Sequence, residues 1–112
     1  MENIILFVRD FQKGAELSES LSSINLNVSF GESIYDLPDK CCLAIMDLDD
    51  KKFNNLAFIL ELKTKAKIKL ICYKRLIKKE SHDAIKNAGC DIIVTNASIV
   101  MNIQKLVKNL LK

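Results

Sequence analysis

The chain has 112 residues, 49% of them hydrophobic and 28% charged, with a formal net charge of +3. This length suits one hydrophobic core, so we expect a single domain over residues 1–112. The apolar fraction excludes a disordered chain, and no apolar run approaches the roughly 18 residues that span a bilayer. The N-terminus lacks a basic region and a cleavage site, so we expect a cytoplasmic protein without a signal peptide.

The chain alternates between apolar runs and helical spacing, beginning with a run from Ile4 to Val8 that predicts a buried strand. Asp10 then stands where a helix N-cap is expected. The apolar stripe of the first helix consists of Gly14, Leu17, Leu21 and Ile24. A second strand is predicted at Asn27–Phe30, a brief helix at Glu32–Leu37, and a third strand at Cys42–Met46.

The second half of the chain continues the alternation. In chain order, its predicted elements are a helix over Phe53–Thr64, a strand over Ile68–Tyr73, a helix over Ser81–Ala88, a strand over Asp91–Thr95 and a helix over Ile99–Leu110. Gly89 follows the helix that ends at Ala88, where a left-handed residue commonly ends a helix. No linker, internal repeat or low-complexity segment interrupts this order.

Five strands that alternate with helices predict an α/β protein with a parallel sheet covered on both faces. Right-handed crossovers favour a flavodoxin-like three-layer αβα sandwich with strand order 2-1-3-4-5. Functional residues of this fold lie at the C-terminal ends of the strands. Polar or reactive residues at those ends are Arg9, Asp10, Asp47, Asp49, Cys72, Tyr73 and Asn96.

The four cysteines are Cys41, Cys42, Cys72 and Cys90, and the only histidine is His82. No two cysteines form a C-x-x-C pair, which disfavours a zinc site. The cysteines are therefore interpreted as small, buried, reduced thiols. No Gly-rich loop follows the first strand, which disfavours a dinucleotide site. We expect no bound cofactor and no enzymatic activity.

Three segments resemble the receiver domains of two-component response regulators, the CheY-like family. Residues 5–10 correspond to the family's first strand and its acidic end, and residues 43–47 to the strand that ends in the phosphoacceptor aspartate. Residues 88–96 correspond to the end of a helix and the fifth strand. The resemblance covers nearly the whole chain, and its specificity comes from the order and spacing of the three segments.

The resemblance implies that Asp47 is the phosphoacceptor and that Asp10 and Asp47 hold a divalent cation, together with the backbone carbonyl of Asp49. The chain departs from the family at several of these positions. Arg9 replaces an acid, Asn96 replaces the family's lysine, and no Ser or Thr lies between Ala66 and Glu80 to supply the usual hydroxyl. Cys72 and Tyr73 lie instead at the end of the fourth strand and are candidates for the pocket lining.

These departures favour a stand-alone pseudo-receiver that acts in signal transduction through protein–protein contacts, independently of phosphorylation. In this hypothesis the Arg9 guanidinium forms hydrogen bonds to Asp10 or Asp47 and takes the place of the metal. A first alternative is a working receiver, phosphorylated on Asp47 with Mg²⁺. A second is a nucleic-acid-binding protein that uses the basic stretch from Lys63 to Lys79.

The resemblance also implies where a protein partner binds. In the family, partner and dimer contacts commonly involve the fourth helix, fifth strand and fifth helix. Here that face comprises Ser81–Ala88, Ile93 and the last helix. We expect a protein partner or a homodimer on this face, and no membrane contact.

Overall fold

The computed structural model describes residues 2–112, which form one parallel sheet of five strands in the order β2-β1-β3-β4-β5. The strands are β1 Asn3–Phe7, β2 Asn27–Phe30, β3 Cys41–Asp47, β4 Lys69–Lys74 and β5 Ile92–Thr95. The helices are α1 Phe11–Ser22, α2 Leu56–Glu61, α3 Lys79–Ala88 and α4 Ile99–Leu110. Both the predicted fold class and the predicted strand order are confirmed.

The helix boundaries follow local capping chemistry. Asp10 caps α1 as predicted, because its Oδ1 accepts a hydrogen bond of 2.8 Å from the Lys13 backbone N. The brief helix predicted before Pro38 is a 3₁₀ turn, Ile34–Asp36, closed by a capping box between Ser33 and Asp36. Gly89 ends α3 with φ at +120°, a backbone angle that glycine adopts without the penalty of a Cβ atom.

The helix expected from Phe53 begins later, at Leu56. Asn55 caps it by accepting hydrogen bonds from the backbone N of Ala57 and Phe58. The Phe53 side chain is fully buried before the helix starts, with its ring centroid 5.7 Å from that of Phe7. Core packing therefore holds Phe53 in the preceding turn. After Glu61 the helix widens into a π-helical turn over Leu62–Ala66.

The sheet separates two hydrophobic cores. On one face, α2 and α3 cover the side chains of Ile5, Phe7, Ala44 and Met46. On the other, α1 and α4 cover those of Ile4, Leu6, Leu43 and Ile45. This alternation arises because successive side chains of a strand point to opposite faces. No helix within residues 2–112 is both long and apolar enough to cross a membrane.

Candidate functional site

A polar cavity of about 370 Å³ opens at the C-terminal ends of β1, β3, β4 and β5. We call it the strand-end pocket, and it is lined by Asp10, Lys13, Asp47, Asp49, Arg75 and Asn96. The structure thus brings together four of the residues predicted at the strand ends, namely Asp10, Asp47, Asp49 and Asn96. Lys13 and Arg75 complete the lining from α1 and from the residue after β4.

Asp47 ends β3, and only 8% of its surface is exposed. Its Oδ1 accepts a hydrogen bond of 2.9 Å from the backbone N of Asp49. Burial raises the pKa of the Asp47 carboxyl above its ordinary value, and repulsion by Asp49, Asp50 and Asp10 raises it further. The structure therefore holds this carboxylate at an electrostatic cost.

Asp49 links three strand ends. Its Oδ2 and Oδ1 accept hydrogen bonds of 3.0 and 3.2 Å from the Arg75 backbone N, directly after β4. The Asn96 side-chain amide, directly after β5, donates to Asp49 Oδ2 over 3.5 Å. A single carboxylate therefore ties the loop after β3 to the ends of the next two strands.

The carboxylates of the strand-end pocket are already engaged with the backbone. Asp10, Asp47 and Asp49 each accept a backbone hydrogen bond. In the part of the chain that the structure describes, no three His, Cys, Asp or Glu side chains are grouped so that they could hold a metal ion. The divalent cation that the receiver resemblance implies would therefore be held by Asp10, Asp47 and the Asp49 backbone carbonyl, without a third side-chain ligand.

Lys13 and Arg75 are the pocket residues that the sequence analysis did not predict, and Lys13 makes the longer-range contact. Its Nζ donates a hydrogen bond of 3.2 Å to the backbone carbonyl of Asn96, 83 positions away in the chain. The only signal in the sequence was a basic residue three positions after the Asp10 cap, which places it in the first turn of α1. The contact places the Lys13 ammonium at the end of β5, where this chain has Asn96 in place of the receiver family's lysine.

The hypothesis for Arg9 is wrong. Its guanidinium forms an ion pair with Asp50 at 3.6 Å, and 54% of the side chain is exposed. Within residues 2–112 it makes no hydrogen bond or ion pair with Asp10 or Asp47. β1 ends before Arg9, and the side chain extends outside the strand-end pocket toward the loop after β3.

Cys72 and Tyr73 belong to the core and do not line the strand-end pocket. Cys72 is fully buried in the core beneath α2 and α3, and Tyr73 in the core beneath α1 and α4. Tyr73 pairs in register with Asp47, and burial raises the pKa of its hydroxyl, as does the charge of Asp47. That hydroxyl has no hydrogen-bond partner among the residues described.

The basic stretch of residues 63–79 does not form one surface. Lys69 and Lys74 lie at opposite ends of β4. Lys63 is bound to Asp91 at 2.8 Å, and Lys65 pairs with Glu61 at 3.5 Å. Binding to a nucleic-acid backbone requires several basic side chains on one face of the protein, and this distribution separates them.

Comparison with known proteins identifies the fold. No family model matches the chain, and no curated protein matches it. A two-component response regulator from Clostridium difficile has a similar structure, with a TM-score of 0.87 and 11% identity over 99% of this chain and 96% of that one. A response regulator from Thermotoga maritima gives 0.83 and 12% identity over 97% and 96%.

HP1043, described as an orphan response regulator of H. pylori, gives a TM-score of 0.75 and 18% identity over 93% of this chain and 94% of that one. These similarities extend over nearly the full length of each chain, so the likeness includes all five strands. At such low identity the likeness concerns the fold and not the chemistry of the pocket. The chain therefore has the CheY-like receiver-domain fold of the response regulators.

Proposed function

We propose that the protein is a receiver-like signalling domain that acts through protein–protein contacts and whose strand-end pocket works without phosphorylation. The proposal includes a cytoplasmic location, in keeping with four free cysteines. It includes neither an enzymatic activity nor a resident cofactor. Its partner surface is the face formed by α3, β5 and α4.

The observation that carries the proposal is the set of hydrogen bonds made by Asp49. These bonds join the ends of β3, β4 and β5 using only groups of the protein. In the receiver family, a bound phosphoryl group engages residues at the same strand ends. Because these internal hydrogen bonds already connect the strand ends, the pocket depends less on a bound phosphoryl group to fix its shape.

The arrangement of the acidic side chains also supports this proposal. A divalent cation needs several oxygen ligands that converge on one point. Here the Asp10 carboxylate caps α1 and the Asp49 carboxylate binds the Arg75 backbone. A cation bound by these side-chain oxygens would compete with hydrogen bonds that stabilise a helix start and a loop.

The test is a titration of the protein with Mg²⁺ and beryllofluoride, followed by amide NMR shifts. We expect no saturable shift at Asp10, Asp47 or Asn96. Incubation with acetyl phosphate and Mg²⁺, followed by intact mass measurement, should likewise show no added phosphoryl group. An Asp47→Asn variant serves as the matched control for both measurements, since it lacks the acceptor carboxylate but keeps an oxygen for the Asp49 N–H.

A saturable shift confined to these residues in the wild-type protein, lost in Asp47→Asn, would contradict the proposal. It would support the second candidate, a receiver phosphorylated on Asp47. One observation favours that candidate: the Arg9 side chain pairs with Asp50 and does not neutralise Asp47. The raised pKa of Asp47 agrees with a carboxylate that lacks a close positive partner.

A further inference from the structure

Resting on the proposed function, we propose that Lys13 is the built-in cation of the strand-end pocket. Its ammonium brings a positive charge into the lining of the pocket, beside that of Arg75, and opposes the binding of a divalent ion. Lys13 is therefore a positioning residue for this pocket, in addition to its place in the first turn of α1.

The geometry of the Lys13 side chain supports this role. The Asp10 cap fixes the start of α1, because Asp10 Oδ1 binds the backbone N of Lys13 itself. The side chain then crosses to β5, where Nζ donates to the Asn96 carbonyl at 3.2 Å. Both ends of the Lys13 residue are thus held by residues that line the pocket.

The Lys13 ammonium acts on a divalent cation through electrostatic repulsion among the charged groups of the pocket. Asp10, Asp47 and Asp49 line the cavity, and the other charged residues in its lining are Lys13 and Arg75. An ammonium in the lining of the same pocket repels a divalent cation about twice as strongly as a monovalent one at the same distance. Part burial of Lys13 reduces the screening of this repulsion by solvent.

A purely structural role for Lys13 is the competing explanation. In that case the hydrogen bond to Asn96 only ties α1 to the loop after β5. Loss of the tie would then lower stability without changing how the pocket treats cations. The two explanations differ in one measurable quantity, the affinity of the pocket for a divalent ion.

The experiment titrates full-length wild-type protein and the variants Lys13→Gln, Lys13→Arg and Lys105→Gln with Mn²⁺. Paramagnetic broadening of the Asp10, Asp47 and Asp49 amide signals gives the dissociation constant. We expect Lys13→Gln to bind Mn²⁺ at least about tenfold more tightly than the wild type, equivalent to about 1.4 kcal/mol. Lys13→Arg keeps the charge, and Lys105→Gln removes one positive charge from an exposed position of α4, so both should stay within about twofold.

Equal Mn²⁺ affinity in Lys13→Gln and Lys105→Gln would overturn the inference, as would broadening that centres outside the strand-end pocket. A Lys13→Arg variant that behaves like Lys13→Gln would also overturn it, because the charge would then be irrelevant. The result is separate from that of the beryllofluoride titration. Wild-type protein that responds to beryllofluoride contradicts the proposed function, whereas the ratio of Mn²⁺ affinities between variants tests Lys13 alone.

Discussion

The two ends of the sheet use the same residue types in different ways. At the N-terminal end of β4, Asp91 Oδ2 accepts hydrogen bonds of 2.8 Å from Lys63 Nζ and from the backbone N of Leu70. Lys63 Nζ also donates to the Ile68 carbonyl at 2.7 Å. Carboxylate and ammonium are thus in direct contact, and each makes a second short hydrogen bond.

At the C-terminal end, the contacts between side chains are longer. Asn96 reaches Asp49 at 3.5 Å, Arg9 reaches Asp50 at 3.6 Å, and Lys13 binds a backbone carbonyl. The pKa of Asp47 is raised at this end. The difference teaches that the Lys63–Asp91 pair stabilises the fold directly, whereas at the other end the buried Asp47 carboxylate is kept at a cost in stability.

The largest effect that this comparison predicts is for Asp91→Ala. The change removes the acceptor for the Leu70 N–H and leaves a partly buried Lys63 ammonium without its counter-ion. We expect the free energy of unfolding to fall by about 2 kcal/mol in urea denaturation. The matched control is Lys65→Met, which breaks an exposed i, i+4 pair and should change stability by no more than ~0.5 kcal/mol. Equal losses in both variants would remove the contrast between the two ends.

Asp47→Asn should have an intermediate effect of opposite sign. A carboxyl whose pKa is raised in the folded state loses stability as pH rises from the unfolded value through the folded one. Above the folded-state pKa the wild type carries this cost in full, and there the variant should be more stable by ~1 kcal/mol. The gain should disappear below the ordinary value of 3.8, where Asp47 is protonated in both states. Urea denaturation at several pH values measures it; a gain that persists in acid would contradict the electrostatic explanation.

Arg9→Gln should have the smallest effect. The Arg9 pair with Asp50 is long and largely exposed, so its loss should change the free energy of unfolding by less than ~0.5 kcal/mol. The amide signal of Asp47 should keep its position in the NMR spectrum. A large shift of that signal would show that the guanidinium does balance the pocket in solution.

The sequence was most informative where packing decides the structure. Apolar runs such as Ile4–Val8 predicted the strands to within one or two residues, because a strand buried on both faces needs continuous apolar side chains. Asp10 and Gly89 marked helix ends through backbone chemistry that depends only on neighbouring residues. The start of α2 was missed because burial of Phe53, a tertiary contact, outweighed its helical spacing.

The candidate site was only partly predictable. Topology brought Asp10, Asp47, Asp49 and Asn96 together, since the ends of parallel strands share one edge of the sheet. The directions in which the Arg9 and Lys13 side chains extend were not predictable, because the groups that these long flexible side chains contact lie far away in the sequence. Asn96 was identified from the sequence only as the residue that replaces the family's lysine, whereas in the structure its backbone carbonyl also accepts a hydrogen bond from Lys13.

The position of Tyr73 has a practical consequence. The chain contains no tryptophan and two tyrosines. Tyr35 is 92% exposed, whereas Tyr73 is buried and in register with Asp47. A Tyr35→Phe variant would therefore carry a single tyrosine next to Asp47, so that tyrosine emission reports on this strand end without any attached dye.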